Sequence, residues 1–224
     1  SHLAFEARHH GELRPRYHDA AHSHLRQRQH RQLHDATEAL ASLRNERVVL
    51  YFQPIRELED ATAADPHALT GEVLCRLLDE RGEIMAPARF MAPLEAAGRG
   101  AELDLAVMRA LFRLLRKSPD ALPHCREIAI NLTGQSLASM SFQVELRTLL
   151  AGSPLPMSAL CFEVTETAAI SNTAAASHLL ADLRALGCRI AIDDFGTGMQ
   201  SFARLRELPV DVIKIDGSFV RNVA

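Results

Sequence analysis

The sequence predicts an α/β fold of the TIM-type (β/α) barrel class, preceded by one connecting helix. Three observations carry the prediction. From residue 47 onward, short apolar runs alternate with amphipathic helical patterns. The apolar runs are near-continuous, as expected of parallel strands covered by helices. Five successive strands, the second to the sixth, also carry a charged or amide side chain at or near the same end.

The N-terminal stretch differs from the rest. Eight of the eleven histidines lie before residue 35, without one regular spacing. They read as a solvated helical face and not as a metal site. Ser1-His2 has the form of an expression scar. From about Asp19 the pattern turns helical. Leu33, Ala36, Leu40 and Leu43 step by 3, 4 and 3, with Leu25 near the same face. This a/d-type stripe predicts a connecting helix over 20–46, packed on the following domain or on a partner chain. It falls short of the three or four heptads of a coiled coil. A homodimer is the expected assembly.

The remaining elements follow in turn. RVVLYFQPI (47–55) is β-branched and aromatic, and stops at Pro54. LTGEVLCRLL (69–78) is the second strand. PARFMAPLEAAG (87–98) opens on Pro at a first helical position and closes on Gly98. AELDLAVMRALFRLLRK (101–117) is a long amphipathic helix. EIAINL (127–132) is a strand, and 134–152 a helix. LCFEVTE (160–166) is a strand, and 172–187 a helix stopped by Gly187. RIAIDD (189–194) is the fifth strand. QSFARLREL (200–208) is a short helix ended by Pro209, and VDVIKID (210–216) is the sixth strand.

Composition removes several function classes. The net charge of -3 argues against a nucleic-acid polymer or an anionic membrane surface as partner. No apolar run approaches the roughly 18 residues of a membrane span, and no signal peptide is visible. No membrane contact is therefore expected of this segment, and any anchoring of the whole protein is left to segments outside it. Cys75, Cys125, Cys161 and Cys188 form no CxxC pair, and Cys75 and Cys161 sit inside apolar runs. Reduced, buried thiols in a cytoplasmic setting are the expectation.

The polar residues at the strand ends suggest chemistry. Glu72 lies in the second strand, and Asn131 near the end of the third. Glu163 is late in the fourth, with Glu166 three residues on. Asp193 and Asp194 end the fifth, and Lys214 is late in the sixth. In a β/α barrel, catalytic groups from the C-terminal ends of several strands converge on one face. One such residue has an ordinary explanation, as a solvent-facing strand Glu or an Asp capping the next helix. Five strands in agreement do not. Carboxylate and amide oxygens, with no His or Cys among them, favour hard cations such as Mg²⁺ or Mn²⁺. Asp193 can bridge two ions while Asp194 takes the second. Such a pair clamps an in-line phosphoryl displacement. Lys214 adds positive charge for the attacking water or for phosphate.

The ordered motifs YFQPI, GEVLCRL, PARFMAPLE, INLTGQSL, FEVTETAAISN, IAIDDFGTG and LPVDVIKIDGSFVR run through residues 51–221. Together they resemble the EAL-domain family of bacterial cyclic di-GMP phosphodiesterases. Glu72-Val73-Leu74 stands at the family's signature. The resemblance implies that Glu72, Asn131, Glu163 and Asp193 bind a first metal, and Asp193 and Asp194 a second. It implies that Lys214 holds the attacking water and that Glu166 anchors the DDFGTG loop. Gln53, Leu74, Arg76 and Asp216 match positions that contact the dinucleotide. The implied reaction opens cyclic di-GMP to linear pGpG. Residues 3–20 faintly resemble the tail of a GGDEF-type domain, so residues 1–19 are either such a tail or a cloning remnant.

Three features depart from the family. Val73 replaces the signature Ala, and Met199-Gln200 replace a usual Leu-Ser. The EAL-like part, 47–224, is also shorter than the about 250 residues of a complete barrel. By the resemblance, two strands with their helices, a further metal-site Glu and a Gln near the substrate are missing. An incomplete barrel of about six strands is thus expected, with sheet edges on the first and last strands. The 224-residue chain alone is expected to be inactive. The competing functional reading is an inactive EAL domain serving as a cyclic di-GMP receptor or as an interaction or dimerisation module.

Overall fold

The computed structural model describes residues 20–56, 68–171, 173–196, 208–219 and 221, with side chains from residue 26. All but the last residue of the helix expected at 200–208, and the departure at Met199-Gln200, lie outside the described residues, as does the N-terminal stretch 1–19.

The chain opens with α1 (Ala20–Arg44), β1 (Val48–Pro54), β2 (Leu69–Leu78) and the short β3 (Ile84–Met85). Then come α2 (Pro87–Ala96), α3 (Gly100–Lys117), β4 (Cys125–Leu132), α4 (Gly134–Ala138) and α5 (Met140–Ala151). The last elements are β5 (Leu160–Thr165), α6 (Glu166–Ser171), α7 (Thr173–Ala185), β6 (Arg189–Phe195) and β7 (Val212–Ile215). Among the described residues the strands form one sheet in the order β1-β2-β4-β5-β6-β7, with β3 paired to β2.

β2, β4, β5, β6 and β7 run parallel. β1 departs from the expected parallel arrangement and pairs antiparallel to β2, with Gln53 opposite Glu72. A parallel return needs a crossover, usually a helix. Adjacent antiparallel strands need none.

Two further corrections concern the helices. The helix expected over 134–152 breaks at Ser139, whose Oγ accepts a bond from Phe142 N at 3.2 Å and starts α5 as its N-cap. The helix expected to begin at 172 is preceded by α6, which starts at Glu166 directly after β5.

The parallel strands sort their side chains by face. Ile128, Ile130 and Leu132, then Leu160, Phe162 and Val164, then Ile190 and Ile192 are buried in the main core. They share it with Leu103, Val107, Leu111, Leu146, Leu179 and Leu183 from the covering helices. The alternate positions Ala129, Cys161 and Ala191 form a separate small cluster with Val212. One face therefore packs against helices and the other lines the inside of the curve. The curvature is measurable. In the sheet order β7 lies four strands from β2, which is about 19 Å in a flat sheet at about 4.8 Å per strand. Lys214 on β7 nevertheless bonds Glu72 on β2 at 2.9 Å. The sheet is curled, as an incomplete TIM-type barrel with β1 and β7 at its edges among the described residues.

The stripe on α1 mainly covers its own domain. Ala36, Ala39 and Leu43 are buried and Leu40 is packed against the core, whereas Leu33 is 68% exposed. Arg89 of α2 bonds Glu38 at 2.8 Å. Ser42 Oγ donates to Leu78 O at 2.6 Å, which ties the end of α1 to the end of β2. The stripe that suggested a homodimer is thus largely used within the chain. The four cysteines are free, three of them buried. No helix of the described residues is long and apolar enough to cross a membrane.

Candidate metal centre

The polar strand ends meet on the inner face of the curl. In register, Glu72 lies beside Ala129, Asn131 beside Glu163, and Thr165 beside Asp193. One carboxylate oxygen from each of Glu72, Glu163 and Asp193 lies within 4.8 Å of the others. Asn131 Nδ2 donates to Glu72 Oε1 at 2.6 Å. Lys214 Nζ donates to Glu163 Oε2 at 2.7 Å and Glu72 Oε2 at 2.9 Å, and stands 3.4 Å from Asp193 Oδ1.

The electrostatics favour a cation. The Glu163 side chain is 2% exposed. Burial pushes its carboxyl up to about 7, and the charges of Glu72 and Asp193 add to the rise while Lys214 opposes it. Burial would lower the Lys214 ammonium, but its bonds to Glu163 and Glu72 outweigh that and hold it above the usual lysine range. Three carboxylates share one lysine, so full ionisation leaves excess negative charge. Glu72, Glu163 and Asp193 offer oxygen, and Asn131 can present its amide oxygen, a set that fits a hard divalent cation.

Asp194 stands beside this cluster, outside its three-oxygen group. Its φ is +55°, and the β6–β7 register shifts between Ile192 and Phe195. Such an irregularity breaks the strict alternation of a strand, so adjacent carboxylates need not face opposite ways. Burial raises the Asp194 carboxyl, and the charges of Asp193 and Asp216 raise it further. The following turn is fixed by Glu166, which is 2% exposed and accepts a bond from Gly196 N at 2.9 Å. Gly196 has φ +99°, and a Cβ there would lie 2.6 Å from the Phe219 ring. Glycine alone meets both demands.

The residues expected to contact a dinucleotide lie on β1, on β2 and just after β7. Leu74 and Arg76 follow Glu72 at two-residue steps and share its face. Gln53 is exposed, opposite Glu72. Arg76 lies over the Tyr51 ring, 5.2 Å from its centroid, and donates to Cys75 O at 2.8 Å. Asp216 follows β7 and accepts from Ser218 N at 2.8 Å; hydrogen bonding from the Ser218 side chain, and then from its backbone, lowers the Asp216 carboxyl. Sequence reading did not single out Tyr51 or the buried Asp104. Asp104's one signal was an acid at a core-facing step of an amphipathic helix.

Comparison with known proteins matches residues 33–224 to the EAL domain. The chain belongs to the EAL domain family. Its relatives include the cyclic di-GMP phosphodiesterase PdeB of Shewanella oneidensis, 38% identical over 190 residues. That match covers 84% of this chain and 22% of the relative. The cyclic di-GMP phosphodiesterase PdeF of Escherichia coli is 39% identical over 152 residues, covering 68% of this chain and 20% of the relative. The EAL chain thus spans about a fifth of the length of these relatives. Among solved structures, the FimX EAL domain from Pseudomonas aeruginosa bound to c-di-GMP aligns with a TM-score of 0.73 and 31% identity. The alignment covers 84% of this chain and 74% of that one.

Proposed function

We propose that this EAL domain binds cyclic di-GMP across the inner rim of its sheet and, with Mg²⁺ or Mn²⁺, hydrolyses it to linear pGpG. The observation that carries the reading is the convergence of Glu72, Asn131, Glu163, Asp193 and Lys214 from five strands onto one point. The phosphodiesterase names of the relatives and the c-di-GMP in the FimX structure support the choice of substrate.

Glu72, Asn131, Glu163 and Asp193 would hold one ion, and Asp193 and Asp194 would hold a second. The chemistry supplied by bound ions is polarisation of the phosphodiester and acidification of water. Lys214 spans Glu72 and Glu163 and would turn an N–H toward the attacking water once ions take over the carboxylates. Glu166 holds Gly196, and through it the segment carrying Asp193 and Asp194. Arg76 presents a planar fork to a phosphate, with Tyr51 steadying it from beneath. Gln53, Leu74 and Asp216 complete the rim. The setting is cytoplasmic, in keeping with free thiols.

The test is turnover by protein expressed from its complete natural reading frame. Glu72→Ala should lose at least about a hundredfold in rate, as expected when a metal clamp is broken. Wild-type turnover in that variant would remove the metal assignment.

A further inference from the structure

Asp104 lies on α3, outside the metal centre, and is 4% exposed. A buried carboxylate is costly unless it is well bonded. Its Oδ2 accepts from Thr133 N at 2.7 Å, Thr133 Oγ1 at 2.9 Å and Ser136 Oγ at 2.6 Å. Thr133 is the N-cap of α4, yet its side chain makes no capping bond to that helix. Asp104 instead binds the cap from a neighbouring helix. Gln135 fastens the same turn from its other side. Its Oε1 accepts from Gly100 N at 2.6 Å, and its Nε2 donates to Glu95 O at 2.5 Å. The fit is close: a Cβ on Gly100 would come within 2.6 Å of Thr133 Oγ1.

This turn begins two residues after Asn131. Asn131 is exposed on the inner face, and its side chain bonds another candidate ligand, Glu72. The placement of its amide therefore depends on the backbone that carries it. We propose that Asp104 is a positioning residue for the metal centre, holding the Asn131 amide in place by clamping Thr133 and Ser136. The inference rests on the reading of Asn131 as a metal ligand.

The experiment compares wild type, Asp104→Asn and Ser136→Ala, all expressed from the complete natural reading frame. Mn²⁺ binding is measured by calorimetry. Turnover of cyclic di-GMP is measured against Mn²⁺ concentration, and folding by thermal unfolding. Loss of an outer partner of a metal site typically costs about 10–100-fold in metal affinity. Asp104→Asn should weaken Mn²⁺ about tenfold, with KM for cyclic di-GMP unchanged and rate recovered at saturating Mn²⁺. Ser136→Ala keeps the two Thr133 bonds. It gives a smaller shift in the same direction, and it decides the matter if Asp104→Asn fails to fold. Folded variants with wild-type Mn²⁺ constants and lowered unfolding temperatures would overturn the inference alone, leaving Asp104 a structural cap. A wild type that binds no Mn²⁺ would overturn the metal reading as well.

Discussion

Lys214→Met tests how the carboxylate cluster is held in the absence of metal. The lysine is the cation bonded to Glu72 and Glu163 and lies 3.4 Å from Asp193. Removing one partner of a fully buried pair costs about 3–5 kcal/mol. Here Lys214 is 26% exposed, Glu72 15% and Asp193 23%. Water shares the burden, so about 2–3 kcal/mol is the reasonable range. Glu163, already raised to about 7, takes up a proton near neutral pH and limits the loss. At about 2–4 °C per kcal/mol for a domain of this size, the midpoint should fall by roughly 4–12 °C. The assay is thermal unfolding of wild type and variant at neutral pH, first with chelator and then with saturating Mn²⁺. Mn²⁺ should narrow the gap, because the ion replaces the missing charge and binds more tightly where no ammonium competes; each tenfold difference in Kd is worth about 1.4 kcal/mol at saturation. Equal midpoints in chelator would refute the claim that Lys214 neutralises the cluster.

Other outcomes follow from the same geometry. Arg76→Ala should weaken cyclic di-GMP binding by about 1.5–3 kcal/mol, the range of a charged hydrogen bond; a calorimetric affinity equal to wild type would contradict its rim role. Burial raises Asp104 from 3.8 to about 6. An acid raised in the folded state contributes stability that is present at low pH and lost as pH climbs through the folded value. Between about pH 4 and pH 7 the wild type should therefore lose on the order of 3 kcal/mol that Asp104→Asn does not lose, and identical denaturation profiles across that range would refute it. Leu43→Glu should destabilise the monomer by roughly 2 kcal/mol or more, since it places a charge in a buried seat. A change in mass by light scattering with unchanged stability would instead place Leu43 at an interface between chains.

Much of this architecture is legible in the sequence because buried parallel strands are apolar along their length. Ile128, Ile130, Phe162, Val164, Ile190 and Ile192 mark three of them. The site is legible because each strand breaks its apolar run with a polar residue at the same end, from Glu72 to Lys214. Strand direction is not written in an apolar pattern, so the antiparallel pairing of β1 emerges only in the fold. β3 has two residues, too few to show a period. The break at Ser139 depends on one capping bond inside an otherwise helical run. The stripe on α1 predicts a buried face but not its partner, and Ala36, Ala39 and Leu43 find theirs within the chain. Asp104 reads as an ordinary acid near a helix start, because its partners Thr133 and Ser136 lie about 30 residues away in the chain.

The most direct measurement is product analysis on metal-free protein, expressed from the complete natural reading frame and incubated with cyclic di-GMP, with and without Mn²⁺. The account predicts intact cyclic dinucleotide without metal and linear pGpG when Mn²⁺ is added. Tight binding of cyclic di-GMP with the ligand recovered intact at every Mn²⁺ concentration would contradict it, and would make the domain a receptor.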